Sequence, residues 1–338
     1  MSKFRNQHMS IEWHDIIDDE NSAPAIEASL KEKSSLVGRV GLMMLSVGTG
    51  AWRVRASMNK ISKALGIVCN ADIGLLSIEY TCVDKNGDTY TNALSLSNTG
   101  VNTDKLVSID AFTDEFADKV NKFSIGKFHK ILDRINKKKP NYKAINLGLA
   151  AALACWGFTF LLGGGPVEMF LAFFGAGVGQ FVRKKLIEHK ITLLGNVSVS
   201  VAAACCTYII LMKVCEAVFG IASVHQAGYI CAMLYVIPGF PLITGGIDLA
   251  KLDLRSGMER ILYACLIIIT ATVTGWIVAL CFNYKPADFV DLEINPALRL
   301  VIRLVTSFCG VYGFSFLFNS KRKMAVTAGL IGMIANTF

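Results

Sequence analysis

Beyond residue 143 the sequence keeps returning to long runs with almost no charge, and these constrain the fold more than any other feature. A helix needs about 20 apolar residues to cross the hydrocarbon core of a bilayer. Residues 144–162, 191–212, 227–247 and 261–282 carry no charge at all. Residues 166–182 form a shorter run with Glu168 near its start, 297–318 holds Arg299 and Arg303 near one end, and 324–338 begins a seventh run. Backbone groups in lipid must pair within the segment, and none of these runs alternates as a barrel strand would, so each is predicted to be a helix. Charge divides at the same place. Residues 1–143 hold 20 Lys+Arg and 17 Asp+Glu, against 14 and 9 in residues 144–338. The overall 53% hydrophobic and 18% charged content therefore averages a soluble domain with a membrane bundle. Disordered, fibrous and disulfide-scaffold classes are excluded.

The basic residues orient the bundle. Lys137, Lys138, Lys139 and Lys143 precede the first run, and Arg183, Lys184, Lys185 and Lys190 follow the second. Lys251, Arg255 and Arg260 follow the fourth, and Lys321, Arg322 and Lys323 follow the sixth. The alternate loops, 163–165, the stretch around 213–226, and 284–295, hold few basic residues and several acids. The positive-inside rule then predicts a multi-pass protein of the cell membrane, with its N-terminus and every basic loop in the cytoplasm. Residues 1–24 contain Asp18, Asp19 and Glu20 and no apolar core, so no cleavable signal is expected there. About half of the +8 net charge sits in these loop clusters, which makes the lipid bilayer, and not nucleic acid, the expected partner.

The expected organisation is a flexible tail over 1–33, a cytoplasmic α+β domain over 34–143, a five-helix bundle over 144–282 and the start of a second bundle over 283–338. Within the soluble half, 25–47 reads as a helix that breaks at Ser46-Val47-Gly48-Thr49-Gly50. A second helix over 51–65 places Val54, Met58, Ile61 and Leu65 on one face, and Gly66 caps it. Strands are expected at 74–83 and 89–97, joined by a turn at Asn86-Gly87, with a third at 105–109 and one helix over 110–137. Gly48-Thr49-Gly50 before a helix resembles an anion site, and Arg53 and Arg55 suit a carboxylate. The competing reading is a plain helix break beside solvated arginines. No P-loop, dinucleotide fingerprint or nucleophile elbow is present, and the five histidines lack metal-ligand spacing. No catalytic residue, cofactor or metal is therefore expected. Eight of the ten cysteines lie in or beside apolar runs, where Cys packs as a small soft residue, and adjacent Cys205 and Cys206 are the pair to check.

The fourth run carries the chemistry. Its stretch Pro238-Gly239-Phe240-Pro241-Leu242-Ile243-Thr244-Gly245-Gly246-Ile247-Asp248 combines two prolines, three glycines and a closing acid. Prolines remove backbone donors, and such a break at membrane depth is tolerated only in packed protein or beside a cavity. Transporters use broken helices of this kind to bind small polar substrates. Pro238, Gly239, Pro241, Thr244, Gly245 and Asp248 are thus candidate substrate residues, against a simple proline kink. Glu168 joins them because a carboxylate within a span is costly and commonly functional, unless it reaches water at the outer interface. Asp253, Arg255, Glu259 and Arg260 make a dense cytoplasmic cluster suited to gating, with a solvated loop as the alternative. Lys213, Arg299 and Arg303 are expected to snorkel to the outer interface.

Two blocks bring the sequence close to a known family. One is Gly48-Thr49-Gly50-Ala51-Trp52-Arg53-Val54-Arg55 with Met58 and Ala64-Leu65-Gly66; the other runs from Pro238-Gly239-Phe240-Pro241-Leu242 to Asp248 and Asp253-Leu254-Arg255-Ser256-Gly257-Met258-Glu259-Arg260. Over roughly 34–282 the chain resembles the threonine/serine exporter family. The resemblance implies proton-driven export of small hydrophilic metabolites, threonine and serine first, or dicarboxylates as one subunit of a two-component system. It also implies a second, smaller hydrophobic bundle, fused or separate; a homo-oligomer is compatible too. Because the sequence stops within its seventh run, a fragment of a longer chain is expected. A membrane-tethered hydrolase and a ligand-sensing role for the soluble half, through Arg53 and Arg55, are the competing classes.

Overall fold

The computed structural model describes residues 11–16, 23–221, 223–284, 288–289 and 292–337, and most of them are helical. Asp18, Asp19, Glu20 and His8 lie outside the described residues. The chain divides into two compact units, Met1–Lys139 with Gly239–Tyr263, and Pro140–Pro238 with Ala264–Phe338.

In the first unit, α1 (Leu30–Ser46) starts from a reciprocal cap: the Glu32 amide donates to the Ser29 hydroxyl and the Ser29 amide to the Glu32 carboxylate. Gly48 turns the chain at φ +82°, a left-handed conformation that suits glycine. From there α2 (Ala51–Ala64) buries Val54, Met58 and Ile61, the face its periodicity predicts. A three-stranded antiparallel sheet follows in the order β1 (Val68–Ile73), β2 (Ser77–Val83), β3 (Thr89–Ser95). The Asn86-Gly87 turn joins β2 to β3, pairing Val83 with Thr89 and Ile78 with Leu94.

Two local expectations are corrected here. The third strand is β1, and residues 105–109 lie inside α3 (Thr103–Lys119). Leu106, Ile109, Phe112 and Phe116 are buried three or four residues apart, so helical spacing outweighs the strand propensity of a short Val/Ile run. The helix expected over 110–137 is two, because α3 stops after Lys119 and α4 (Ile125–Asn136) begins afresh behind Ser124, whose hydroxyl accepts the Lys127 amide.

Phe112, Phe116 and Phe128 of α3 and α4 join Leu36 and Met44 of α1, Met58 of α2 and Tyr80 of β2 in one core. Parts of the stretch expected as a tail are packed: Ala25 is fully buried and Trp13 stacks on His129. His129 is itself buried. Its Nδ1 accepts from Arg39 Nη1 at 2.9 Å, and its Nε2 lies 3.2 Å from the Ser35 hydroxyl. Ser35 donates to the Glu32 carbonyl, so its oxygen accepts from Nε2–H and the ring is neutral. Burial, and then the Arg39 charge, push its pKa down to about 3.

The second unit packs α5 (Ala144–Leu161) against α6 (Pro166–Glu188) and α10 (Pro296–Leu317), α6 against α7 (Leu193–Phe219), and α10 against α11 (Arg322–Ala335). Two 3-10 segments, Ser223–Tyr229 and Cys231–Val236, fill in beside α6 and α7. The remaining helices, α8 (Gly239–Ala250) and α9 (Leu254–Cys281), follow them in the chain. Helices α5, α7, α9 and α10 are long and apolar enough to cross a membrane, and the bent pair His225–Val236 with Gly239–Ala250 makes a fifth if it counts as one span. Among the chain connections, the Asn141 amide donates to Asn319 Oδ1 at 2.8 Å and the Tyr142 hydroxyl to the Ser320 carbonyl at 2.7 Å. A side chain at Gly163 would touch Phe289, and one at Gly165 would touch Leu292.

Candidate functional site

The fourth run is interrupted where its prolines predicted, and helix resumes immediately after the break. The half of the run before the break is 3-10 helix ending at Val236, Ile237 and Pro238 are non-helical, and α8 begins directly after them as the second arm of a bent pair. Pro241 falls in the first turn of α8, where a missing N–H costs nothing. Residues 239–250 are therefore regular helix and not opened backbone. The Thr244 hydroxyl is used by the helix itself, donating to the Phe240 carbonyl at 2.9 Å. Gly245 serves a helix crossing: a Cβ there would lie 3.2 Å from the Gly257 carbonyl oxygen on α9, and a Cβ at Gly257 would meet Leu249 at 2.6 Å. This close approach sets Asp248 of α8 beside Ser256 and Arg260 of α9.

Asp248 and Arg260 form a buried ion pair, 0% and 2% exposed, with Nε 3.1 Å from Oδ2. The same Oδ2 accepts from the Ser256 hydroxyl at 2.9 Å and from the Ala51 amide, at the start of α2, at 3.1 Å. Arg260 in turn donates to the Thr49 carbonyl at 2.7 Å and the Gly48 carbonyl at 3.3 Å. The other carboxylate oxygen, Oδ1, is buried with no hydrogen-bond partner among the described residues. A Cβ at Gly50 would stand 2.9 Å from it. The Gly48-Thr49-Gly50 turn does receive an anion at the α2 N-terminus, and that anion is the chain's own Asp248.

Arg53 and Arg55 do not share this site. Arg53 pairs with Asp110. Arg55 clasps both oxygens of Asp253, at 2.7 and 3.0 Å, and this hydrogen bonding holds its pKa above the usual arginine value. Arg255 reaches Asp72 at the end of β1 and the Ser77 hydroxyl at 3.3 Å. Glu259 accepts the Leu75 amide, between β1 and β2, at 2.6 Å. All four residues of the expected gating cluster, Asp253, Arg255, Glu259 and Arg260, thus bond to residues between 48 and 77.

Glu168 belongs to the second unit and is 2% exposed. Its Oε2 accepts the Gly165 amide at 2.9 Å, capping α6, while Oε1 lies 2.6 Å from His225 Nδ1. The Tyr208 hydroxyl donates to the His225 carbonyl at 2.8 Å and fixes that segment. His225 has no motif and sits 57 positions from its partner, so nothing in the sequence singled it out. Pro238 and Gly239 mark the start of α8 and bring no polar side chain. A cavity of about 210 Å³ between α3 and α4, lined mainly by Phe112, Phe116, Phe128, Ile131 and Ile135, includes none of the candidate residues. Among the described residues no group of three or more His, Cys, Asp or Glu could hold a metal ion.

A family model described as "Putative threonine/serine exporter" matches residues 35–283. No curated protein and no solved structure matches the chain. The matched stretch contains Gly48-Thr49-Gly50, Glu168, His225 and the whole Asp248–Arg260 cluster, and the chain belongs to the threonine/serine exporter family.

Proposed function

We propose that the protein is a secondary transporter that exports threonine and serine, driven by the proton gradient. One observation carries this reading beyond the family: the Asp248 carboxylate is buried at a helix N-terminus with Oδ2 fully engaged and Oδ1 without a partner among the described residues. An unsatisfied buried carboxylate oxygen is costly, and it suits an incoming ammonium group. The α2 N-terminus and Arg260 suit a carboxylate. A zwitterionic amino acid offers both groups, its ammonium to Asp248 and its carboxylate to Arg260 and the α2 N-terminus. Thr244 and Gly245, buried on the same helix as Asp248, shape the apolar side of the site. Proton exchange is assigned to the Glu168–His225 pair, a buried carboxylate 2.6 Å from an imidazole nitrogen.

The same reading places residues 34–143 in the cytoplasm as an α+β domain and the basic loops beside it. Residues 48–77 bond to the loop after the fourth run, and Asn141 and Tyr142 bond to the loop after the sixth. The neighbouring residues Gly163 and Phe289 belong to loops of the other sign. Each contact joins loops that the charge pattern assigns to one side of the membrane. A second hydrophobic bundle, in a longer chain or a separate subunit, would complete the transporter. Export of dicarboxylates is the second reading, favoured by the two carboxylate-seeking groups at Asp248.

An efflux panel on cells expressing the protein separates these readings. Threonine and serine should leave about tenfold faster than from cells carrying Asp248→Asn, the cost of one charge-assisted interaction. Succinate leaving faster than either amino acid would favour the second reading, and no difference for any solute would contradict both.

A further inference from the structure

We infer that Cys69 and Cys82 form a redox-active dithiol that closes to a disulfide across strands β1 and β2. The two residues are direct partners in the antiparallel register. On β1 the inward positions are Cys69, Ala71 and Ile73; on β2 they are Ile78, Tyr80 and Cys82. Both thiols therefore leave the sheet on the same face. Opposed residues in such a ladder have Cα atoms about 4.5 or 5.5 Å apart, inside the span of about 4.4–6.8 Å that a disulfide bridges.

Access favours Cys69, which is half-buried on an edge strand, whereas Cys82 is fully buried. A peroxide is the oxidant. The Cys69 sulfur takes one peroxide oxygen to become a sulfenic acid, and water leaves. The Cys82 sulfur then attacks the Cys69 sulfur, the S–S bond forms, and the departing hydroxide takes the Cys82 proton as a second water. Two thiols are oxidised and one peroxide is reduced. The other adjacent pair, Cys205 and Cys206, projects in different directions from α7, since consecutive helical residues do not face each other. The bond would tie together the two strands whose connection holds Glu259 through the Leu75 amide and whose Asp72 holds Arg255.

Trypsin decides the matter, because residues 64–85 form one tryptic peptide containing both cysteines and no other. The full-length protein in membranes is treated with hydrogen peroxide, alkylated under denaturing conditions, digested and weighed. The expected product is peptide 64–85 two hydrogens lighter and unalkylated, converted by dithiothreitol to the doubly alkylatable form. Cys69→Ser should abolish it. A peptide that still takes two alkyl groups at millimolar peroxide overturns the inference, as does Cys69 accumulating as sulfinic acid or Cys82 closing onto another cysteine.

Discussion

At the scale of single residues, Asp248 and Arg260 differ from the other ion pairs among the described residues because both are sealed from solvent. Removing one partner from such a pair strands the other charge, at a cost of about 3–5 kcal/mol. Arg55 and Asp253 are 35% and 15% exposed, and a pair of that kind contributes about 0–1 kcal/mol. Thermal unfolding in detergent should therefore drop steeply for Arg260→Ala and barely move for Arg55→Ala; equal effects would remove the distinction. The importance of Asp248 was legible in the sequence, as an acid closing a proline- and glycine-rich apolar run. Its partners were not. Ala51 and Asp248 are 197 positions apart, and Arg53 and Arg55, expected to bind a carboxylate near the α2 N-terminus, pair instead with Asp110 and Asp253.

At the scale of elements, α1 and α4 are joined through His129, and this makes their packing sensitive to pH. The imidazole titrates near 3 in the folded protein and at about 6.5 when unfolded. Between those values the unfolded chain binds the extra proton, so stability falls as pH drops from about 6.5 toward 3, by at most about 1.4 kcal/mol per pH unit. His129→Asn, whose side-chain oxygen can still accept from Arg39, should flatten that slope when unfolding is followed between pH 4 and about pH 7; an unchanged slope would assign the effect elsewhere. The α8–α9 crossing makes a second prediction. Gly257→Val sets a branched side chain against Leu249 and the Gly245 carbonyl, at a cost of about 1–3 kcal/mol, read as a lowered melting temperature. Elements with strong periodicity, such as α2 and the apolar runs, could be read directly from the sequence. Strand β1 could not, because Asn70, Ala71 and Asp72 are poor strand formers and pairing with β2 overrides them. The prolines marked the break in the fourth run, but not that regular helix resumes directly after it. Their donors are missing wherever they stand, but only a mid-helix position makes that costly, and here they stand at the start of α8.

For the whole molecule, the proposed placement of residues 1–143 in the cytoplasm rests on the pattern of basic loops. The account predicts that protease added outside intact cells leaves residues 1–143 uncut, whereas in inverted vesicles it removes them. The central claim is that substrate is held at Asp248 and moved against a proton gradient. Its most direct test is threonine counterflow in vesicles reconstituted with the protein, with Asp248→Asn and Glu168→Gln alongside. The account predicts counterflow by the wild type, a loss of about tenfold or more in Asp248→Asn, and loss of pH-driven accumulation in Glu168→Gln. Wild-type rates in both variants would contradict it.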